Sequence, residues 1–216
     1  MPIERKRPKP EGFNSTANLP FELRIEDFSL AMQDIYDFFF DVNSFLVKKG
    51  LQRLDDMLRP AIMSGLLSDL LTSSLAKHSR TLVQNQHFNG HPDLLIKGVY
   101  PNDAAKAGVE GVEIKTTRKA GGAVDTHGAR EQWMTVFVYA VDGQTEPARD
   151  RAPLRFTEVY LGHVTIADFS QERARRTRNT HRDAASRRHP QAAAKLGLSG
   201  IRPAGQIGAG LLRARP

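Results

Sequence analysis

The spacing of apolar residues changes period once along the chain, and that change limits the folds open to it. Phe28, Met32, Ile35, Phe39, Val42 and Leu46 recur at intervals of three and four, which marks one face of a helix packed on a core. Ile62, Leu66, Leu67, Leu70, Leu71 and Leu75 mark a second. Gly50 suits the stop of the first helix, and Pro60 suits the first turn of the second. From residue 81 the helical period is gone. Residues 81–86, 94–100 and 109–117 read as strands, separated by the Asn89-Gly90 turn and a 101–108 loop. After Gly121-Gly122 a short helix is predicted over 126–133, then strands over 135–141 and 156–164, the former β-branched and aromatic. Helices followed by strands joined through hairpin-like loops predict an α/β fold, a mixed central sheet flanked by helices with a helical segment at its N-terminal side.

The rest of the chain divides around that block. Residues 1–20 hold four prolines and few apolar side chains and read as an irregular lead, residues 21–170 as the folded domain, and residues 171–216 as a tail. The tail is predicted to be helical over 171–189 and disordered from 192, where Gly, Ala and Pro dominate. At 216 residues and 40% hydrophobic, the chain has enough apolar surface for one real core. The net charge of +7 is unevenly placed, because the tail carries eleven Lys and Arg against two acidic residues, while residues 1–170 hold 20 basic against 22 acidic. The tail is thus +9 and the body −2. Clustered cations of this kind suit phosphate contact, and Arg173, Arg175, Arg176, Arg178, Arg182, Arg187 and Arg188 are the expected nucleic-acid contacts.

The absence of cysteine excludes a disulfide scaffold, a cysteine-ligated zinc site and a thiol nucleophile. No apolar run approaches the roughly 18 residues that a membrane span requires, and the charged opening MPIERKRPKPEGFNSTANLP has no apolar stretch behind it, unlike a secretory signal. The expectation is a cytoplasmic protein without a membrane partner. Gly121-Gly122 lacks the Gly-Lys-Ser/Thr of a phosphate loop, and no nucleophile-elbow glycine pattern is present. His87 and His91 lie four apart, but the Asn89-Gly90 turn between them removes a shared face.

The chemistry concentrates in His91-Pro92-Asp93-Leu94 and Val112-Glu113-Ile114-Lys115. On a strand, Glu113 and Lys115 project from one face while Ile114 points to the core. Asp93 opens the preceding strand, and a hairpin would bring it near Glu113. Two converging carboxylates repel unless a cation lies between them, and hard oxygen ligands suit Mg²⁺, with Mn²⁺ as a substitute. Such a metal activates water and neutralises charge on a scissile phosphate, and Lys115 is placed to orient the water or stabilise that charge. His91, Arg118 and Lys119, beside or just past these strands, are candidate phosphate contacts.

Pro92-Asp93 followed by Glu113-Ile114-Lys115 resembles the PD-(D/E)xK nuclease superfamily, which includes many type II restriction endonucleases and the RecB-like nucleases. The resemblance covers about residues 60–165 and implies a restriction endonuclease-like core. It implies that Asp93 and Glu113 are metal ligands, that the Ile114 carbonyl adds a ligand, and that Lys115 is the catalytic lysine. It further implies Asp69 as an acidic residue on the preceding helix, and Gln132 as the match to a glutamine that RecB-like members carry on a following helix. The tyrosine expected four residues after that glutamine is absent, since Val136 stands there.

The expected function is a Mg²⁺-dependent DNA endonuclease, most simply of restriction type, acting as a homodimer or by successive nicks. Its catalytic residues would be Asp93, Glu113 and Lys115. The alternatives are a non-catalytic nucleic-acid-binding protein that uses the basic tail, and a RecB-like DNA-processing exonuclease.

Overall fold

The computed structural model describes residues 3–119, 121, 124–126, 128–171 and 194–196. Helix α1, Ile25–Lys48, buries Phe28, Ala31, Met32, Ile35 and Phe39 along the face that the sequence spacing marks. The Asp27 carboxylate accepts the Arg24 amide at 2.8 Å, which satisfies one of the donors a helix start leaves open. The helix ends where Gly50 turns to φ +74°, and the Leu51 amide donates back to Leu46 O at 3.0 Å. A single turn, α2 (Leu54–Met57), precedes α3 (Pro60–His78), which carries Pro60 in its first turn.

Five strands form one mixed sheet in the order β1-β2-β3-β5-β6. They are β1 Leu82–Gln84, β2 Leu94–Ile96, β3 Gly111–Thr117, β5 Gln132–Ala140 and β6 Arg155–Val164. Strands β1, β2 and β3 run antiparallel to one another, β3 and β5 are parallel, and β5 and β6 are antiparallel. A smaller sheet, in the order β4-β8-β7, joins β4 Val124–Thr126, β7 Phe169–Gln171 and β8 Ala194–Leu196.

The two faces of the large sheet are covered differently. The helices pack on one face, where Phe28, Ile35, Leu67, Leu71 and Leu75 meet Val112, Ile114, Phe137, Tyr139 and Leu161. Each fully buried leucine there contributes about 1.5–3 kcal/mol. On the other face Met134, Val136, Val138, Tyr160 and Val164 pack with Val124 and Phe169 of the small sheet. Serines let α3 lie close on the sheet: Ser68 Oγ donates to Ile114 O at 3.1 Å, and Thr116 Oγ1 donates to Ser64 O at 2.8 Å.

Several expectations are corrected. The described residues of 126–133 form no helix: Thr126 lies in β4 and Gln132 opens β5. The Trp133–Tyr139 run is rich in β-branched and aromatic side chains, and it pairs with β3 on one side and β6 on the other, so the ladder captures the segment. The strand expected over 94–100 ends at Ile96, where Gly98 adopts φ +77° and its amide donates to Asp103 Oδ1 at 2.7 Å. Most of the 171–216 tail lies outside the described residues. Where it is described the expectations are corrected, since Gln171 ends strand β7 instead of opening a helix, and Ala194–Leu196, expected to be disordered, form β8 by pairing with β4 and β7. Among the described residues no helix is long and apolar enough to cross a membrane.

Candidate functional site

The hairpin of β2 and β3 sets the geometry. Its register pairs Leu94 with Val112 and Leu95 with Gly111, and continuing it places Asp93 across from Glu113. There a side chain takes over from the backbone ladder: Asp93 Oδ2 accepts the Ile114 amide at 2.8 Å. The Asp93 carbonyl accepts the Asn85 amide at 2.9 Å, so the residue is held from both neighbouring strands. Gly111 permits this approach, because a Cβ there would lie 2.0 Å from Leu94 O and 2.8 Å from Pro92 Cγ.

Strand alternation puts Glu113 and Lys115 on the face opposite the helices, with Ile114 fully buried on the helix side. Glu113 is 7% exposed. Its Oε1 takes the Lys115 ammonium, and His91 Nδ1 lies 2.8 Å from its Oε2. The two contacts leave both Glu113 oxygens engaged. The structure thus gathers His91, Asp93, Glu113 and Lys115 at one end of the hairpin.

The two carboxyls are held in unequal states. Burial, and then the Glu113 charge, push the Asp93 carboxyl up to about 6, against smaller opposing effects of Lys115, the Ile114 amide and His91. Burial also works against the Glu113 charge, but contact with His91 and the charge of Lys115 outweigh it and draw Glu113 down to about 2. Burial and the facing Glu113 charge both disfavour an ionised Asp93, and a cation bound between the two carboxylates would relieve that repulsion. The donors are hard oxygens, which fit a small divalent ion.

No three His, Asp or Glu side chains among the described residues come together as a metal-holding group. Asp93 and Glu113 would supply two carboxylates to such an ion, and Mg²⁺ characteristically keeps several of its waters. The Ile114 carbonyl accepts Ser68 Oγ. Asp69 is exposed on α3 and shares with Asp93 the lining of an open cleft of about 540 Å³, whose wall is the 84–90 segment.

The remaining predicted residues are more scattered. His91 contacts Glu113, so its ring is engaged inside the site. Arg118 and Lys119 are exposed on the turn after β3, and Arg118 donates to Val141 O at 2.9 Å. Gln132 is buried at the start of a strand, which corrects its expected place on a helix, and its Oε1 has no donor. Arg173, Arg175, Arg176, Arg178, Arg182, Arg187 and Arg188 lie outside the described residues. His87 is apart from the cluster, with Nδ1 2.8 Å from Phe88 O.

No protein-family model, curated protein or solved structure matches the chain.

Two contributors carried no signal in the sequence. Ser68 ties α3 to the strand of Glu113 and Lys115. Asn85 braces the loop before Asp93, its Nδ2 donating to Pro92 O at 3.0 Å and Ala105 O at 2.8 Å. His91 pairs with Glu113, and its adjacency to Pro92-Asp93 was the one clue to that role.

Proposed function

We propose that the chain is a Mg²⁺-dependent DNA endonuclease of the PD-(D/E)xK type, built on a restriction endonuclease-like core. One observation carries this reading: Asp93 is fixed by the Ile114 amide across from Glu113, with Lys115 on the same strand face as Glu113. The mixed sheet with a helix before the hairpin agrees with that core.

Asp93 and Glu113 would hold the metal, with the Ile114 carbonyl and Asp69 as further oxygen donors. The bound ion supplies Lewis-acid stabilisation of the phosphate and lowers the pKa of a water. The protein's own residues do the positioning. The Ile114 amide keeps Asp93 in place, and Ser68 fixes the strand from behind. Lys115 donates from its ammonium to the attacking water or to the phosphate oxygen that gains charge. His91 keeps Glu113 ionised. Arg118 and Lys119 grip the backbone past the catalytic strand, and the tail arginines add sequence-independent contact. Cutting both strands requires a homodimer or two successive nicks.

The RecB-like exonuclease reading loses the helical glutamine that motivated it, since Gln132 lies on β5. A non-catalytic nucleic-acid-binding protein remains the rival, favoured by the way Lys115 and His91 already cover Glu113. Supercoiled and linear DNA incubated with the protein in Mg²⁺ or EDTA separates the two. Endonuclease function predicts nicking that EDTA stops and that Lys115→Ala reduces at least a hundredfold. Equal cutting by both proteins, or DNA binding without cutting across salt and sequence, overturns the assignment.

A further inference from the structure

A second site lies at the far edge of the sheet. Residues 4–9 cross the start of β6 and enclose a groove of about 390 Å³. Arg5, Lys6, Arg7, Lys9 and Arg155 line it, against the single carboxylate of Glu4. Its floor is apolar, formed by Phe13, Tyr36 and Phe156. This concentration of cations runs against the composition of a body that is −2 over residues 1–170.

The groove is a fixed feature of the fold. Arg5 pairs with Asp37 at 3.0 Å and Asp41 at 3.5 Å, and its guanidinium stands 4.5 Å over the Phe40 ring. Lys6 Nζ donates to Pro153 O at 3.0 Å, and Gln33 Nε2 donates to Lys6 O at 3.3 Å. The lead is thereby tied to α1 and to the approach to β6. Two of the five cations are spent on that anchoring. Arg7, Lys9 and Arg155 are exposed and make no ion pair among the described residues. Burial draws Lys6 below its usual range, with Glu4 opposing the shift and Arg155 adding like-charge repulsion.

We propose that this groove binds phosphate oxyanions, with a short stretch of nucleic-acid backbone as the occupant. Arg7, Lys9 and Arg155 would contact phosphates, and the apolar floor would receive a sugar or base. The groove is separate from the Asp93–Glu113 cluster. It lies two strands from β3 and about five residues further along, on the order of 20 Å away. It therefore stands whether or not the protein cleaves DNA.

The test uses the full chain in EDTA, as wild type and as the combined variant Arg7→Ala, Lys9→Ala, Arg155→Ala. All three side chains are exposed, so the variant retains the fold. The first probe is tripolyphosphate followed by amide chemical shifts. The expected shifts cluster at residues 5–9 and 155–157 and vanish in the variant. The second probe is a fluorescent single-stranded oligonucleotide titrated at several salt concentrations. Losing three phosphate contacts should lower the slope of log K against log salt by about two, at roughly 0.7 per contact on a single strand. The tail arginines are the same in both proteins, so they cancel in the difference. Shifts with tripolyphosphate but an unchanged oligonucleotide slope would keep the oxyanion site and assign it to a free oligophosphate. Shifts spread evenly over surface cations, with an unchanged slope, overturn the proposal.

Discussion

Asp93→Asn separates a carboxylate kept for chemistry from one kept for structure. The amide side chain is nearly the same shape and retains an oxygen to accept the Ile114 amide, which Asp93 does at 2.8 Å. What it removes is a buried negative charge facing Glu113. In the folded chain the Asp93 carboxyl is raised from 3.8 to about 6, so it favours the folded state below pH 3.8 and loses that contribution as the pH rises through 6. That interval corresponds to about 3 kcal/mol, at 1.36 kcal/mol per pH unit. Glu113, drawn down to about 2, stays ionised across the same range. Urea unfolding in EDTA should therefore find the two proteins equally stable near pH 4, with Asp93→Asn more stable by about 2–3 kcal/mol at pH 7.5. In melting temperature the gain is about 4–12 °C for a chain of this size. Added Mg²⁺ should narrow the gap by stabilising only the wild type. An Asp93→Asn protein that is less stable than wild type by the same amount at both pH values would refute the reasoning and make Asp93 an ordinary turn residue.

Three other perturbations probe the scaffold. Gly111→Ala places a methyl group 2.0 Å from Leu94 O, so β2 must shift off β3, with an expected loss of about 2–3 kcal/mol in denaturant unfolding and loss of any cleavage. Arg53→Met should cost about 3–5 kcal/mol, because the fully buried guanidinium donates to Arg151 O at 2.7 Å and Ala152 O at 3.2 Å and lies 3.4 Å from Asp55. Asp34→Asn loosens the α1–α3 contact made through Ser74, Lys77 and His78. The Asp34 pKa is lowered: burial opposes this, but the hydrogen bonds from Ser74, Lys77 and His78 outweigh it. Its contribution is thus present above pH 3.8 and fades as the pH falls through the depressed value. With the side chain a third exposed, the cost at pH 7 is about 1 kcal/mol, and it should vanish in strong acid.

The legible parts of the fold were those written as a period. The helical stripe from Phe28 to Phe39 and the β-branched run through Phe137 each bury the face their spacing marks. The acid pair was legible because Pro92-Asp93 and Glu113-Ile114-Lys115 lie on adjacent strand segments, where alternation dictates the face. The 126–133 segment was misread because nothing local signals that Thr126 pairs with Ala194, about 70 positions away, or that Gln132 and Trp133 join the ladder of β6. The parallel match of β3 with β5 is non-local too, although less so. Ser68 and Asn85 escaped notice for another reason. Each acts through one hydrogen bond or a few to backbone groups whose position only the finished fold defines.

The proposed endonuclease requires that Asp93 and Glu113 together bind a divalent cation. Mn²⁺ titrated into the isotopically labelled chain tests it directly, since a paramagnetic ion broadens the amides nearest to it. A cation shared by the two carboxylates predicts that Ile114, Glu113 and Lys115 broaden first, that Mg²⁺ competes the effect away, and that Asp93→Asn abolishes it. Broadening that begins elsewhere, or that persists unchanged in Asp93→Asn, would contradict it.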